Sequence, residues 1–226
     1  GNPVASPIVR GYLSFVQGEQ RRVGVGVRQA PPLIAVQLRD LVRDMRRRGQ
    51  TLATAAERIA MIRDVAIFCL AFHTMKRGFE LSVAVVSQVL QMSEGEGFIF
   101  NFLFGKTLRT VVVRRNLDCR EISAVAAMVE YQQAAESLQW SLAGGSGFLF
   151  PSVLESREKG ELALTPAQMT TNLQTHLRAA GMEGKRYTMH SFRVEGAASH
   201  NMDGTTMDVL MEHVGWKSAT TARRYV

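Results

Sequence analysis

Cysteine, lysine and long apolar runs are what this 226-residue chain lacks. Cys69 and Cys119 are its only cysteines and stand far apart, so neither a zinc site nor a disulfide framework is expected. Cys69 lies in an apolar run and reads as a small core residue. No run reaches the roughly 20 apolar residues of a spanning helix, and no signal-peptide pattern opens the sequence. These absences argue against a membrane partner. They point to an intracellular location, the cytoplasm in a prokaryote or the nucleus in a eukaryote. Internal repeats and low-complexity tracts are missing too, which leaves an ordinary globular chain.

What the chain has is arginine. Lys+Arg total 27 against 20 Asp+Glu, a net charge of +7, and only five of the 27 are lysine. The guanidinium is a planar fork that grips phosphate oxygens in pairs, which an ammonium cannot do. A basic, arginine-rich chain therefore favours nucleic acid over a membrane surface. Hydrophobic residues make up 46% of the sequence, enough for a sizeable core, and the length allows one large domain plus a fragment.

Residues 1–29 hold one modest helical period, Ile8, Tyr12 and Phe15, then most of a Gly-, Val- and Arg-rich stretch that runs on from Arg21 to Pro31-Pro32. They read as the remnant of an N-terminal domain, or an arm, plus a linker. The main domain is expected over residues 30–226. A helix is predicted over 33–48 from Ile34, Leu38, Leu41, Val42 and Met45. Arg43, Arg46, Arg47 and Arg48 crowd its end, where cations suit the helix dipole as well as they would suit DNA. Thr54 with Glu57 makes a capping box, opening a helix to about residue 75 that is apolar nearly all round and so buried. Residues 82–91 fit a helix followed by a strand. Strands are predicted over 97–104 and 108–114, joined by the turn Gly105-Lys106-Thr107 into a β-hairpin. Asp118 with Glu121 is a second capping signature, for a helix to about 138. After a Gly-rich loop at 143–146 and an apolar piece ended by Pro151, residues 152–164 read as a loop. Thr165-Pro166 opens a helix to about 180, and helices follow near 189–202, 205–213 and 218–225. The sum is α+β, mainly α-helical, with one small sheet.

The chemistry-bearing residues gather at 187–226. His190 and Arg193 lie three apart in a helical segment and share one face. Trp216 follows Gly215, and Tyr225 stands nine residues after Trp216. A His, an Arg and a late Tyr in a basic chain point to phosphate chemistry with a tyrosine nucleophile.

This stretch resembles the C-terminal half of a tyrosine recombinase catalytic domain of the phage-integrase type. That family carries His-x-x-Arg, then Gly-His or Gly-Trp, then the nucleophilic Tyr nine residues later. The family's earlier motif, Gly-x-Arg-x-x-Glu-Leu, is matched by Met75-Lys76-Arg77-Gly78-Phe79-Glu80-Leu81, with Met75 where the leading Gly usually stands. Its hairpin-turn lysine is matched by Lys106. The resemblance covers roughly residues 30 to 226.

The resemblance implies the family's catalytic-domain fold, with one small antiparallel sheet packed beside the helices. It implies a catalytic set of Arg77, Lys106, His190, Arg193, Trp216 and Tyr225. Two arginines on the non-bridging oxygens neutralise the charge that builds in the transition state. His190 donates to the same oxygens or accepts the tyrosine proton. The Trp216 indole N–H, a donor only, bonds a phosphate oxygen while the ring packs the Tyr-bearing helix. Tyr225 then holds a 3′-phosphate, and Lys106 gives a proton to the departing 5′-hydroxyl. Glu80 buttresses Arg77 or His190. Arg109, Arg114, Arg115, Arg223 and Arg224 are candidate DNA-backbone contacts, with a solvated face as the other reading. His213 stands twelve residues before Tyr225 and does not fit the family's second His position, and His73, His176 and His200 have no evident partner.

No metal, ATP or other cofactor is expected, since arginines supply the charge and the phosphotyrosyl bond keeps the energy of the broken link. The implied partners are double-stranded DNA and further protomers of the same chain in a tetrameric synapse. At most the last helix of the family's N-terminal core-binding domain is expected here, and the family's helix beyond the Tyr is expected to be absent. The chain is therefore expected to be monomeric or weakly associated without DNA. The function implied is DNA cleavage and rejoining for recombination, integration or transposition. Two other readings stand beside it. One is a type IB topoisomerase, which relaxes DNA with nearly the same residues. The other is a domesticated DNA-binding protein with a silent site.

Overall fold

The computed structural model describes residues 30–104, 107–115, 119–137, 147–152, 162–223 and 225. The expectations for residues 1–29, Lys106, Asp118, the Gly-rich loop at 143–146 and Arg224 lie outside these residues.

Helix α1, Ala35–Gly49, buries Leu38, Leu41, Val42 and Met45. These are the positions that its apolar period singles out. The arginines at its end are held by carboxylates. Arg43 meets Glu121 at 3.2 Å, Arg46 meets Glu130 at 2.8 Å, and Arg47 and Arg48 share Asp44. Helix α2, Ala55–Thr74, starts at the expected capping box, with Thr54 Oγ1 accepting from the Glu57 amide and Glu57 Oε2 accepting from the Thr54 amide. From Val65 to Phe72 every residue of α2 is buried, which explains its lack of a polar face.

Packed around α2 are α4, Ala124–Ser137, α5, Pro166–Ala179, and α6, Met189–Met202, which follow the short α3, Gly78–Ser82, in the chain. Phe68 of α2 stacks on Phe192 of α6 with ring centroids 5.5 Å apart. One polar network crosses this core. Arg63 Nε and Nη2 donate to Asp64 Oδ1, and Arg63 Nη1 donates to the Pro151 carbonyl at 2.7 Å. Asp64 Oδ2 accepts from Asn172 Nδ2 at 2.9 Å and lies 3.1 Å from His176 Nε2. His176 thus has a partner that its sequence neighbours do not reveal.

The sheet is antiparallel, with strands β1, Val89–Gln91, β2, Gly97–Phe104, and β3, Thr107–Arg114, in that order. Phe98, Phe100 and Phe102 line its buried face, opposite Val113, Val111 and Arg109 of β3. Arg109 therefore belongs to the inward-facing set of its strand.

Three boundaries differ from expectation. Glu121 does not cap a helix, because its carboxylate is taken by Arg43 and it sits in a 3₁₀ turn, Arg120–Ile122. The following helix starts only at Ala124, where Ser123 Oγ accepts from the Ala126 amide. The stretch before β1 is a 3₁₀ turn, Val86–Gln88, once α3 has ended at Ser82. The last helices are α7, Met207–Val214, and α8, Ala219–Ala222, the second shorter than the expected 218–225. No helix among the described residues is long and apolar enough to cross a membrane.

Candidate active site

The site begins where α2 stops. Met75, the C-cap, has φ 51° and ψ 24°, and it is the only non-glycine with positive φ among the described residues. A side chain in that left-handed region costs about 1–2 kcal/mol. Burial offsets this cost, because Met75 is fully enclosed and packs with Ala197, Leu210, Val214, Trp216 and Ala222. The turn reverses the chain, so that Arg77 becomes the N-cap of α3. The Arg77 amide donates to Glu80 Oε2 at 2.8 Å, and its guanidinium lies 3.9 Å from the same oxygen. Glu80 is buried, while the Arg77 side chain is 48% exposed.

Helix α6 supplies the next two residues. Thr188 is its N-cap and accepts from the His190 amide at 3.2 Å. His190 and Arg193 then lie one turn apart on one face. A further turn on, Gly196 lies against α2 so closely that a Cβ there would overlap the Phe72 carbonyl. This close approach carries Arg193 to the end of α2, where its Nη1 donates to the Met75 carbonyl at 2.7 Å.

The third piece is the turn after α7. Gly215 ends that helix with φ 84°, and both its amide and that of Trp216 donate to the Met211 carbonyl. Trp216 then stacks on Tyr225, with centroids 4.8 Å apart and planes at 29°. Arg193 Cζ lies 5.3 Å from the centre of the Trp216 ring. The Tyr225 hydroxyl lies 3.1 Å from His190 Nε2.

Electrostatics make this cluster unusual. Burial, followed by the Arg193 and Arg77 charges, holds His190 below its ordinary imidazole value. The ring is thus neutral at neutral pH, and with Nδ1 protonated its Nε2 lone pair accepts the Tyr225 hydroxyl proton. Arg193 is only 1% exposed, and its Nε and Nη2 have no hydrogen-bond partner. Burial, then Arg77, lowers it to about 10. Each buried donor left unmet costs about 1–3 kcal/mol. An oxyanion beside Arg193 would satisfy both donors and balance the charge that Arg77 and Arg193 concentrate here.

Arg77, Glu80, His190, Arg193, Trp216 and Tyr225 therefore meet, although Arg77 and Glu80 are more than a hundred residues from the other four. Arg114, Arg115 and Arg223 are exposed. Arg109 instead packs its guanidinium into the space that a Cβ on Gly215 would fill. One residue that the motif reading passed over is Lys76, which is 1% exposed. Its Nζ donates to the His213 carbonyl at 3.0 Å and sits 5.7 Å over the Phe102 ring, and burial pushes it down to about 8. No local sequence signal marks it, since lysine beside an arginine ordinarily reads as surface.

The sequence matches the model of the phage integrase family over residues 47–226. No curated protein sequence matches the chain. Among solved structures, the XerH site-specific recombinase bound to its difH substrate matches with a TM-score of 0.60 and 17% identity, over 87% of this chain and 50% of that one. The XerA recombinase matches with a TM-score of 0.61 and 17% identity, over 89% and 61%. A lambda integrase dimer bound to a COC′ core site matches with a TM-score of 0.55 and 17% identity, over 88% and 48%. The chain thus spans about half the length of the XerH recombinase and of that lambda integrase.

Proposed function

The chain belongs to the phage integrase family, and on that premise we propose that it breaks and rejoins DNA strands with Tyr225 as the nucleophile. The observation that carries this reading is the Arg193 guanidinium, buried with two unmet donors beside the Tyr225–His190 hydrogen bond. A scissile phosphodiester seated there takes hydrogen bonds from Arg193 and Arg77 on its non-bridging oxygens. Both charges grow in importance as the phosphorus becomes pentacoordinate. The Tyr225 oxygen attacks phosphorus as His190 Nε2 takes its proton. The bond to the 5′-oxygen breaks, and Lys106 protonates that oxygen as it leaves. The product is a 3′-phosphotyrosine and a free 5′-hydroxyl. Attack by another 5′-hydroxyl reverses the step on a new strand, so the exchange is nearly neutral in energy and needs neither ATP nor metal.

Trp216 stacks on the nucleophile's ring and shields Arg193, and Glu80 holds the Arg77 backbone. The exposed Arg114, Arg115 and Arg223, together with Arg224, are proposed to contact the DNA backbone. The partner is double-stranded DNA, with further copies of this chain assembling on it. Lambda integrase itself has been solved as a dimer on a core site and as a tetramer on a Holliday junction. The proposed outcome is site-specific recombination, integration or transposition.

The test is to incubate the chain with nicked duplex DNA, denature it, and look for a covalent protein–DNA band. A band formed by the wild type and absent with Tyr225→Phe supports the reading. Transfer of the trapped strand to an added 5′-hydroxyl strand separates exchange from simple relaxation.

A further inference from the structure

Two cations outside the proposed catalytic set converge on the turn that presents Trp216. The first is Lys76, whose Nζ donates to the carbonyl of His213 in the last turn of α7. The second is Arg109, whose guanidinium fills the volume over Gly215 where any larger residue would carry its Cβ. Lys76 and Arg109 are close enough for their charges to act on each other, and both border Phe102. Lys76 sits over that ring, and Arg109 is its cross-strand partner on the inward face of the sheet. Positive charge suits a helix C-terminus, where carbonyls point outward without intrahelical partners. The two cations therefore tie α7's end to α2 and to the sheet. Those are the elements that lead into Arg77 and into the two strands, β2 and β3, that flank Lys106 in the sequence.

We propose that Arg109 and Lys76 are positioning residues, a cationic clamp on the turn from His213 to Trp216 that sets the Trp216–Tyr225 stack against Arg193 and His190. This rests on Tyr225 being the nucleophile. It assigns Arg109 to the inside of the protein's own machinery and not to the DNA backbone. Gly215 answers two demands in this arrangement. Its φ of 84° suits glycine, and its missing Cβ makes room for the guanidinium. The clamp touches neither phosphate nor sugar. Its loss is therefore felt in the rate of attack by Tyr225, not in DNA affinity.

The experiment compares wild type, Arg109→Ala and Arg109→Lys for binding to nicked duplex DNA at several salt concentrations, and for the rate of covalent adduct formation at saturating DNA. Arg109→Ala is expected to slow adduct formation on the order of 10- to 100-fold, as misplacement of a nucleophile does. Affinity and its salt dependence stay unchanged, and Arg109→Lys recovers part of the rate. Lys76→Met is expected to behave like Arg109→Ala. Weaker binding with a salt slope reduced by about one, and an unchanged rate at saturation, would make Arg109 a phosphate contact and overturn the clamp. A second measurement needs no activity. Gly215→Ala should lower the melting temperature much more in the wild-type background than in Arg109→Ala, where the overlap is gone. Equal losses in both backgrounds would overturn the clamp even if every variant folds and cleaves. If the wild type forms no adduct at all, the nucleophile assignment fails, and the stability cycle alone judges the contact.

Discussion

Arg193 Nη1 donates to the Met75 carbonyl across 2.7 Å, so a side chain of α6 is anchored on the left-handed turn that ends α2. That single bond fixes one edge of the guanidinium and leaves Nε and Nη2 unmet. Those two donors are the ones that an anion seated beside Tyr225 would take.

Arg193→Met tests this directly. Removing a buried cation with two unmet donors offsets the loss of its bond to Met75. The DNA-free variant is therefore expected to be as stable as the wild type to within about 1 kcal/mol. Adduct formation should fall by roughly 10²–10³-fold. Inorganic sulfate should raise the melting temperature of the wild type and not of the variant. A strongly destabilised variant would show that Arg193 is chiefly structural.

His190 sets a pH limit. Burial and the neighbouring Arg193 and Arg77 hold its pKa below the usual 6.5. The neutral ring is the form that accepts the Tyr225 proton. Adduct formation at limiting DNA, which reports the free protein, should be flat above pH 6.5 and fall only below it. An acid limb centred above 6.5 that survives in His190→Asn would assign the base elsewhere.

His213 makes the fold sensitive to acid. Its pKa is lowered from 6.5 to about 4 by burial, with Lys76 and His200 adding to the effect. The unfolded chain takes up the proton near 6.5 and the folded one only near 4. Stability is thus full above pH 6.5 and drains away as pH falls through about 4, by roughly 3 kcal/mol. His213→Gln should flatten the slope of denaturant stability between pH 6.5 and 5, before most carboxylates titrate. An unchanged slope would remove His213 from the explanation.

Asp64 answers for three partners in the core. Asp64→Ala strands the buried Arg63 and unpairs Asn172 and His176, so unfolding free energy should drop by about 3–5 kcal/mol. Urea denaturation measures it, and a loss under about 1 kcal/mol would mean that water or rearrangement replaces the carboxylate.

Most elements are legible because periodicity and caps agree. Thr54 with Glu57, Thr165 with Pro166, and the alternating 97–104 strand all fold as their local chemistry dictates. Glu121 misleads because a capping carboxylate and an ion-pairing carboxylate look alike, and Arg43, 78 residues away, decides between them. The candidate site is legible in its residue types and spacing but not in its support. The Asp64–His176 pair joins residues 112 apart, and Lys76 reaches His213 across 137. No local pattern records such contacts. Arg109 is the instructive case, because Arg109, Val111 and Val113 alternate in register and place the arginine on the inward face. Its charge suggests DNA, while its strand period points inside.

The measurement closest to the central claim is to digest the covalent adduct with protease and nuclease and locate the nucleotide by mass spectrometry. The expected result is a 3′-phosphate ester on Tyr225, with a 5′-hydroxyl on the released strand. Attachment to any other side chain, or a 5′-phosphate linkage, would contradict it.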